Sequence, residues 1–242
     1  MSDVTPSRTW TPLNARERRV LGVLIEKQKT TPDAYPMTVV GIVTGSNQKS
    51  NRDPVTQYEI EDVEDTLESL RRKGAAVLVE GSGRVPKWKH SAYEWFGLKG
   101  RPVETAILAE LLLRGAQTEG ELRQRASRMD EIADFPTLQT HLAYLNELGL
   151  VHFLSPPGQK RGVMVCHGVY QADEIERIRA TASRELQEAT NDHSGPVERS
   201  GAGALRVTTE DLVTLRQDLA SLQAQFAKLV AEVEALKTAL GS

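Results

Sequence analysis

Two stretches of this chain lie over one another without a gap. Residues 63–83 read VEDTLESLRRKGAAVLVEGSG and residues 138–158 read LQTHLAYLNELGLVHFLSPPG. Val63, Leu67, Leu70 and Gly74 fall on Leu138, Leu142, Leu145 and Gly149. Leu78 and Val79 fall on Phe153 and Leu154, and Gly83 on Gly158. Apolar residues at i, i+4 and i+7 make one face of a helix. The glycine supplies the left-handed residue that ends it. A β-prone run, a Gly- or Pro-rich turn and a second β-prone run predict a hairpin. The second runs are AYEWFGL in the first copy and GVMVCHGV in the second.

The pairing continues upstream. Val20, Leu21 and Leu24 of ERRVLGVLIEK match Ile107, Leu108 and Leu111 of ETAILAELLLR. Asn14 with Glu17 predicts a capping box, and Pro102 suits the first turn of the matching helix. A shorter helix is expected over roughly Met37 to Gly45, and another over Glu119 to Ala126, with Thr118 and Glu121 as its capping box. Thr56 with Glu59 predicts the head of the third helix in copy one, and Pro136 marks that boundary in copy two. Each copy therefore orders helix, helix, helix, strand, wing, strand, which is the order of a winged helix. The fold class expected is α+β, mostly helical, with two tandem winged-helix domains over 1–100 and 101–188. The second carries a trailing helix over 171–188.

Beyond it, residues 189–208 are rich in Gly, Ser and Pro and predict a flexible linker. Over 209–242, Leu212, Leu215, Leu219, Leu222, Phe226, Leu229, Val233, Leu236 and Leu240 recur at alternating steps of three and four. That is a heptad seam, and it predicts a coiled-coil helix joining copies of the chain, as in a dimer.

Composition narrows the chemistry. With 39% hydrophobic but only 5% aromatic residues, the core must be built of Leu, Val, Ile and Ala. The net charge of −3 provides no global field toward nucleic acid, so any such contact must be local. The single cysteine, Cys166, excludes an internal disulfide framework. No signal-like run and no bilayer-length apolar stretch occurs, so the expectation is a cytoplasmic protein with no membrane partner. GSNQKS, residues 45–50, resembles a phosphate-binding loop only superficially. Gln48 stands where that loop needs a glycine to turn its amides inward. His90, His141, His152, His167 and His193 form no helical pair of ligands, and Cys166 and His167 are strand neighbours that point opposite ways. Neither a metal, a cofactor nor catalytic activity is expected.

The basic positions point to duplex DNA: Lys49 and Arg52 in the loop, Arg84, Lys87, Trp88 and Lys89 in the first wing, Arg123, Arg125 and Arg128 around the second domain's short helix, and Lys160 and Arg161 in the second wing. Such side chains suit phosphate oxygens, and a tryptophan between lysines adds a stacking surface. The alternative for Trp88 is packing beneath its own hairpin. Against DNA stands the third helix of copy one, with Glu59, Glu61, Asp62, Glu64, Asp65 and Glu68, because that helix is the usual reader of the major groove. The expectation is a DNA-binding, regulatory protein that uses wings and loops. The alternative is an adaptor that binds an unidentified protein partner and no nucleic acid.

The segments GSNQKSNRDP, VEDTLESLRRKG, VPKWKHSAYEWFGL, RPVETAILAELLLRGAQTEGELRQRASRM and SPPGQKRG resemble the YceH family of bacterial proteins over roughly Leu13 to Val169. The resemblance implies a tandem winged-helix fold. It carries over no catalytic or ligand residue.

Overall fold

Helix α1 (Ala15–Thr30) begins at the capping box expected of it. The Asn14 side chain accepts from the Glu17 N–H at 3.0 Å, and the Glu17 carboxylate accepts from the Asn14 N–H at 2.8 Å. In this computed structural model, residues 10–79, 85–156, 158–159 and 162–191 are described, the last part of the final helix by its backbone alone. All of them belong to the unit spanning Met1–Ser194. Arg84, Lys160, Arg161, His193, the expected linker from residue 192 onward and the heptad positions from Leu212 to Leu240 lie outside the described residues, while residues 189–191, expected in the linker, continue the last helix.

After α1 come α2 (Val39–Ser46), α3 (Ile60–Arg72), β1 (Ala76–Val79), β2 (Lys87–His90) and a single turn, α4 (Ala92–Trp95). The second copy follows as α5 (Pro102–Arg114), β3 (Gln117–Thr118), α6 (Glu119–Ala126), α7 (Phe135–Glu147), β4 (Val151–Phe153) and β5 (Met164–His167), closed by α8 (Ala172–Asn191). The chain is thus a mixed α and β protein, predominantly helical, with small sheets.

The likeness between the two halves reaches single residue pairs. In the first hairpin Ala76 faces His90, and in the second Val151 faces His167. In copy two, β3 adds a third strand through Gln117 opposite Val165. Copy one makes the same pairing as one bridge, Met37 opposite Trp88, with N–H to O distances of 3.0 and 2.7 Å. Val63, Leu67 and Leu70 are fully buried, and so are Leu138, Leu142 and Leu145. Gly74 and Gly149 both adopt positive φ, 78° and 67°, at the ends of α3 and α7.

Three boundaries differ from expectation. Thr56 is not a cap. Helix α3 starts at Ile60, with Glu59 as N-cap and Asp62 closing its capping box, while the Thr56 hydroxyl donates to the Ser46 carbonyl. Met37 lies in the bridge to Trp88, and α2 starts after Thr38, whose hydroxyl accepts from the Gly41 N–H. In copy one the second strand is KWKH rather than AYEWFGL. Trp88 and His90 are its inward residues. The strand ends because the His90 ring Nδ1 accepts from the Ala92 N–H, which opens the α4 turn and drives Trp95 and Phe96 into the core.

The copies share that core. Residues Glu17 to Glu26 of α1 and Glu104 to Leu113 of α5 are buried without a break. A helix buried all round must have packing partners on every side. Here α1 meets α2 and α3 on its own side and α5 across the seam, while α5 meets α6 and α7. Gly22 sits at the crossing, where a Cβ would come within 3.0 Å of Leu113 Cγ.

Candidate interaction surface

Of the basic side chains picked out for DNA, the four described arginines are engaged with other groups of the molecule. Arg52 has a fully buried side chain that pairs with Glu26, Nη2 to Oε2 at 2.5 Å, and donates from Nε to the Gly45 carbonyl at 2.9 Å. Arg128 reaches the same carboxylate of α1 at 2.6 Å and Glu110 of α5 at 3.1 Å. Burial alone would push the Glu26 carboxyl up, but the hydrogen bonds and charges of Arg52 and Arg128 outweigh it and hold it below the ordinary range. Arg123 donates to the carbonyls of Ile132 and Ala133, and Arg125 to Gln117 and Glu121. Trp88 is 5% exposed and packs beneath its hairpin, so it offers no stacking face. Lys49, Lys87 and Lys89 remain exposed and make no ion pair among the described residues.

The loop around GSNQKS is stitched to itself. The Asn47 amide holds both backbone groups of Tyr58, donating to its carbonyl and accepting from its N–H, each at 2.8 Å. Gln48 accepts from Arg52, and Asn51 accepts from Arg114. From the sequence, these polar residues could hold a phosphate or satisfy one another and pin the turn. In the fold they satisfy one another and fix the connection between α2 and α3.

The surface that α3 leaves open is acidic and apolar. Glu59, Glu61, Glu64, Asp65 and Glu68 are exposed along it. Beside them, a groove of about 520 Å³ runs between α2, α3 and the hairpin, lined by Val39, Val40, Ile60, Leu78, Val85 and Pro86 with Glu64 and Glu68 at its edge. Val40 is 61% exposed, Ile60 46% and Val85 60%, so large apolar side chains meet water here together. Copy two has a groove at the same place, of about 560 Å³. Its Glu119, Gln139, Phe153 and Val163 stand where Val39, Glu64, Leu78 and Pro86 stand in copy one, by the helix starts and hairpin registers. Sequence reasoning passed over Val40, Ile60 and Val85. The available signal was Val85, an apolar residue in a polar wing; Ile60, three residues before Val63, continues the apolar spacing of α3 and reads as a core position.

Among the described residues no His, Cys, Asp and Glu group has metal-binding geometry. Cys166 is buried, and burial pushes its thiol up to about 12. Nor is any helix of those residues long and apolar enough to cross a membrane.

The family described as "Protein of unknown function, DUF480" matches residues 13–159. The chain belongs to this family. It is the group that the sequence resemblance to the YceH family indicates. Relatives include the UPF0502 protein RB6530 of Rhodopirellula baltica, 44% identical over 207 residues, covering 86% of this chain and 85% of that one. The UPF0502 protein of Citrifermentans bemidjiense is 38% identical across 94% of this chain and 97% of its own. The UPF0502 protein GSU0233 of Geobacter sulfurreducens is 50% identical over 56% of this chain and 61% of its own. The DUF480 segment takes in all of the first groove and the second as far as Gln159.

Proposed function

We propose that this chain is a protein-interaction adaptor built from two winged-helix units, each presenting the groove between its second helix, its third helix and its hairpin. The observation that carries this reading is the first groove, where exposed Val40, Ile60 and Val85 adjoin an acidic α3. A helix meant for the major groove needs donors to base edges and a surface that tolerates phosphate. The acidic face of α3 repels phosphate, whereas the apolar groove favours an amphipathic segment of another protein. Fully burying a Val- or Ile-sized side chain is worth about 1.5–3 kcal/mol, and an exposed ion pair about 0–1 kcal/mol. Apolar contact therefore supplies affinity, and Glu64 and Glu68 orient a partner whose apolar face is flanked by Lys or Arg.

A nitrogen-15 NMR titration of the full chain with a leucine–lysine amphipathic helical peptide tests this. Saturable shifts centred on Val40, Ile60 and Val85, and lost in Ile60→Glu, are expected. A peptide that fails to bind, or that binds Ile60→Glu equally well, overturns the reading.

One observation favours DNA instead. Lys87 and Lys89 alternate with inward Trp88 and His90, so both project from the same solvent face of the hairpin, and Lys49 is also exposed. Retardation of a random-sequence duplex at low salt, weakening steeply as salt rises and absent in the K87E/K89E variant, would replace the adaptor reading with this one.

A further inference from the structure

The seam between the copies holds a site of a different kind. A cavity of about 280 Å³ lies among the start of α1, residues 53–58, the end of α5 and the residues that follow β5. At about 30 Å³ per water molecule, that is room for roughly nine waters, or for one small solute. Copy one contributes Ala15, Arg18, Arg19, Asp53 and Tyr58, and copy two Leu112, Arg114, His167 and Tyr170.

The charges here do not balance. Three arginines line the cavity, against one carboxylate, Asp53. Arg18 is held by Glu174 through two bonds of 2.8 Å and lies over the Tyr170 ring. Arg114 donates from Nη2 to Asn51, and its Nε lies 3.1 Å from Glu110 Oε1 at an angle that makes no hydrogen bond. Glu110 is shared with Arg128, so its charge is divided. Arg19 is the sharpest case. It is 3% exposed and pairs with no carboxylate among the described residues. Its partners are neutral oxygens, the Ser46 carbonyl at 3.0 Å, the Pro54 carbonyl at 2.6 Å and the Thr56 hydroxyl at 3.4 Å. Its Nε is buried with no acceptor, and Nδ1 of His167 on the same lining is buried with no hydrogen-bond partner. A buried cation held only by neutral groups is costly, and a buried donor left unmet adds to that cost. The Ala15 end of α1 adds the positive pole of a helix of 16 residues.

We propose that this cavity binds a small oxyanion, the carboxylate or phosphate group of a low-molecular-weight ligand, with Arg19 and Arg114 as its charge partners. An anion there compensates the charge of Arg19 and Arg114. Because both copies line the cavity, the bound anion also clamps the seam and stabilises the folded unit by mass action.

The test uses the full chain, with sodium phosphate and sodium acetate as probes against sodium chloride at matched ionic strength. The reporters are the arginine Nε–H resonances and the melting temperature. Expected are saturable displacement of the Arg19 and Arg114 resonances and a rise in melting temperature with phosphate, acetate or both, but not with chloride. Saturation by phosphate alone assigns a phosphate group, and saturation by acetate a carboxylate. Arg114→Gln weakens binding about tenfold or more, the loss of one charge-assisted bond. Should Arg114→Gln fail to fold, Arg114→Lys, which retains the charge beside Glu110, must still show weakened binding. Shifts that grow linearly and match those of chloride overturn the proposal. So does unweakened binding in both variants.

Discussion

A single arginine illustrates how a side chain's role depends on where the fold puts it. Arg52 and Lys49 stand three places apart in one polar loop, yet Arg52 is sealed against Glu26 while Lys49 faces water. Removing one partner of a buried pair leaves the other charge stranded, at about 3–5 kcal/mol. Arg52→Ala should fall at the lower end, near 3 kcal/mol by urea unfolding, because Arg128 still holds Glu26. Lys49→Ala should change stability by less than about 0.5 kcal/mol. His90 supplies a pH test. Its Nε2 meets Gln28 Oε1 at 2.7 Å while Nδ1 accepts from the Ala92 N–H at 3.1 Å, an arrangement only the neutral ring satisfies. Burial, helped by the charge of Lys29, lowers its pKa from 6.5 to about 4. The unfolded chain then binds the extra proton between those values, so stability is full above about pH 6.5 and declines as pH falls toward about 4. His90 alone should lower the unfolding free energy by about 2 kcal/mol at pH 5 relative to pH 7, buried His167 adds to the loss, and His90→Gln should shrink the total by its own share. Below the ordinary carboxylate value of 4.5, the depressed Glu17 and Glu26 add a further loss.

At the scale of elements, local rules account for much of what forms. The boxes at Asn14 with Glu17 and at Thr118 with Glu121 are read directly from residue type and spacing, as are the glycines that end α3 and α7. Where expectation failed, a tertiary contact won. Thr56 has the right spacing for a cap but is taken by the Ser46 carbonyl, and the β-prone AYEW is turned into helix so that Trp95 and Phe96 can be buried. Gly45 marks another such contact. It sits on α2 against α1, where a Cβ would lie 2.7 Å from Val23 Cγ1. Gly45→Ala should destabilise by about 1–3 kcal/mol through overpacking. Adding Val23→Ala should restore part of that, giving a coupling in the double-mutant cycle that two independent sites would lack.

For the molecule as a whole, the seam decides behaviour. Because α1 and α5 bury each other and Arg128 spans Glu26 and Glu110, the two copies should unfold together. Trp10, Trp88 and Trp95 all lie in or beside the first copy, so fluorescence reports that copy while far-ultraviolet circular dichroism reports both. Coincident urea transitions are expected, and separated midpoints would disprove shared cooperativity. Self-association through the heptad segment is tested in the full chain: Leu222→Asp with Leu229→Asp should convert an oligomer to a monomer in sedimentation velocity. By itself the sequence determined the likeness of the two halves, the order of three helices and a hairpin in each, the capping boxes of α1 and α6 and the inward leucine faces, because periodicity and end signals are local properties of the chain. Tertiary structure alone decided that the copies share a core, which arginines are spent on buried carboxylates, and where apolar grooves and an anionic deficit are left. Those outcomes depend on which surfaces meet across large sequence separation, and the charge or hydrophobicity of a residue type does not encode its neighbours.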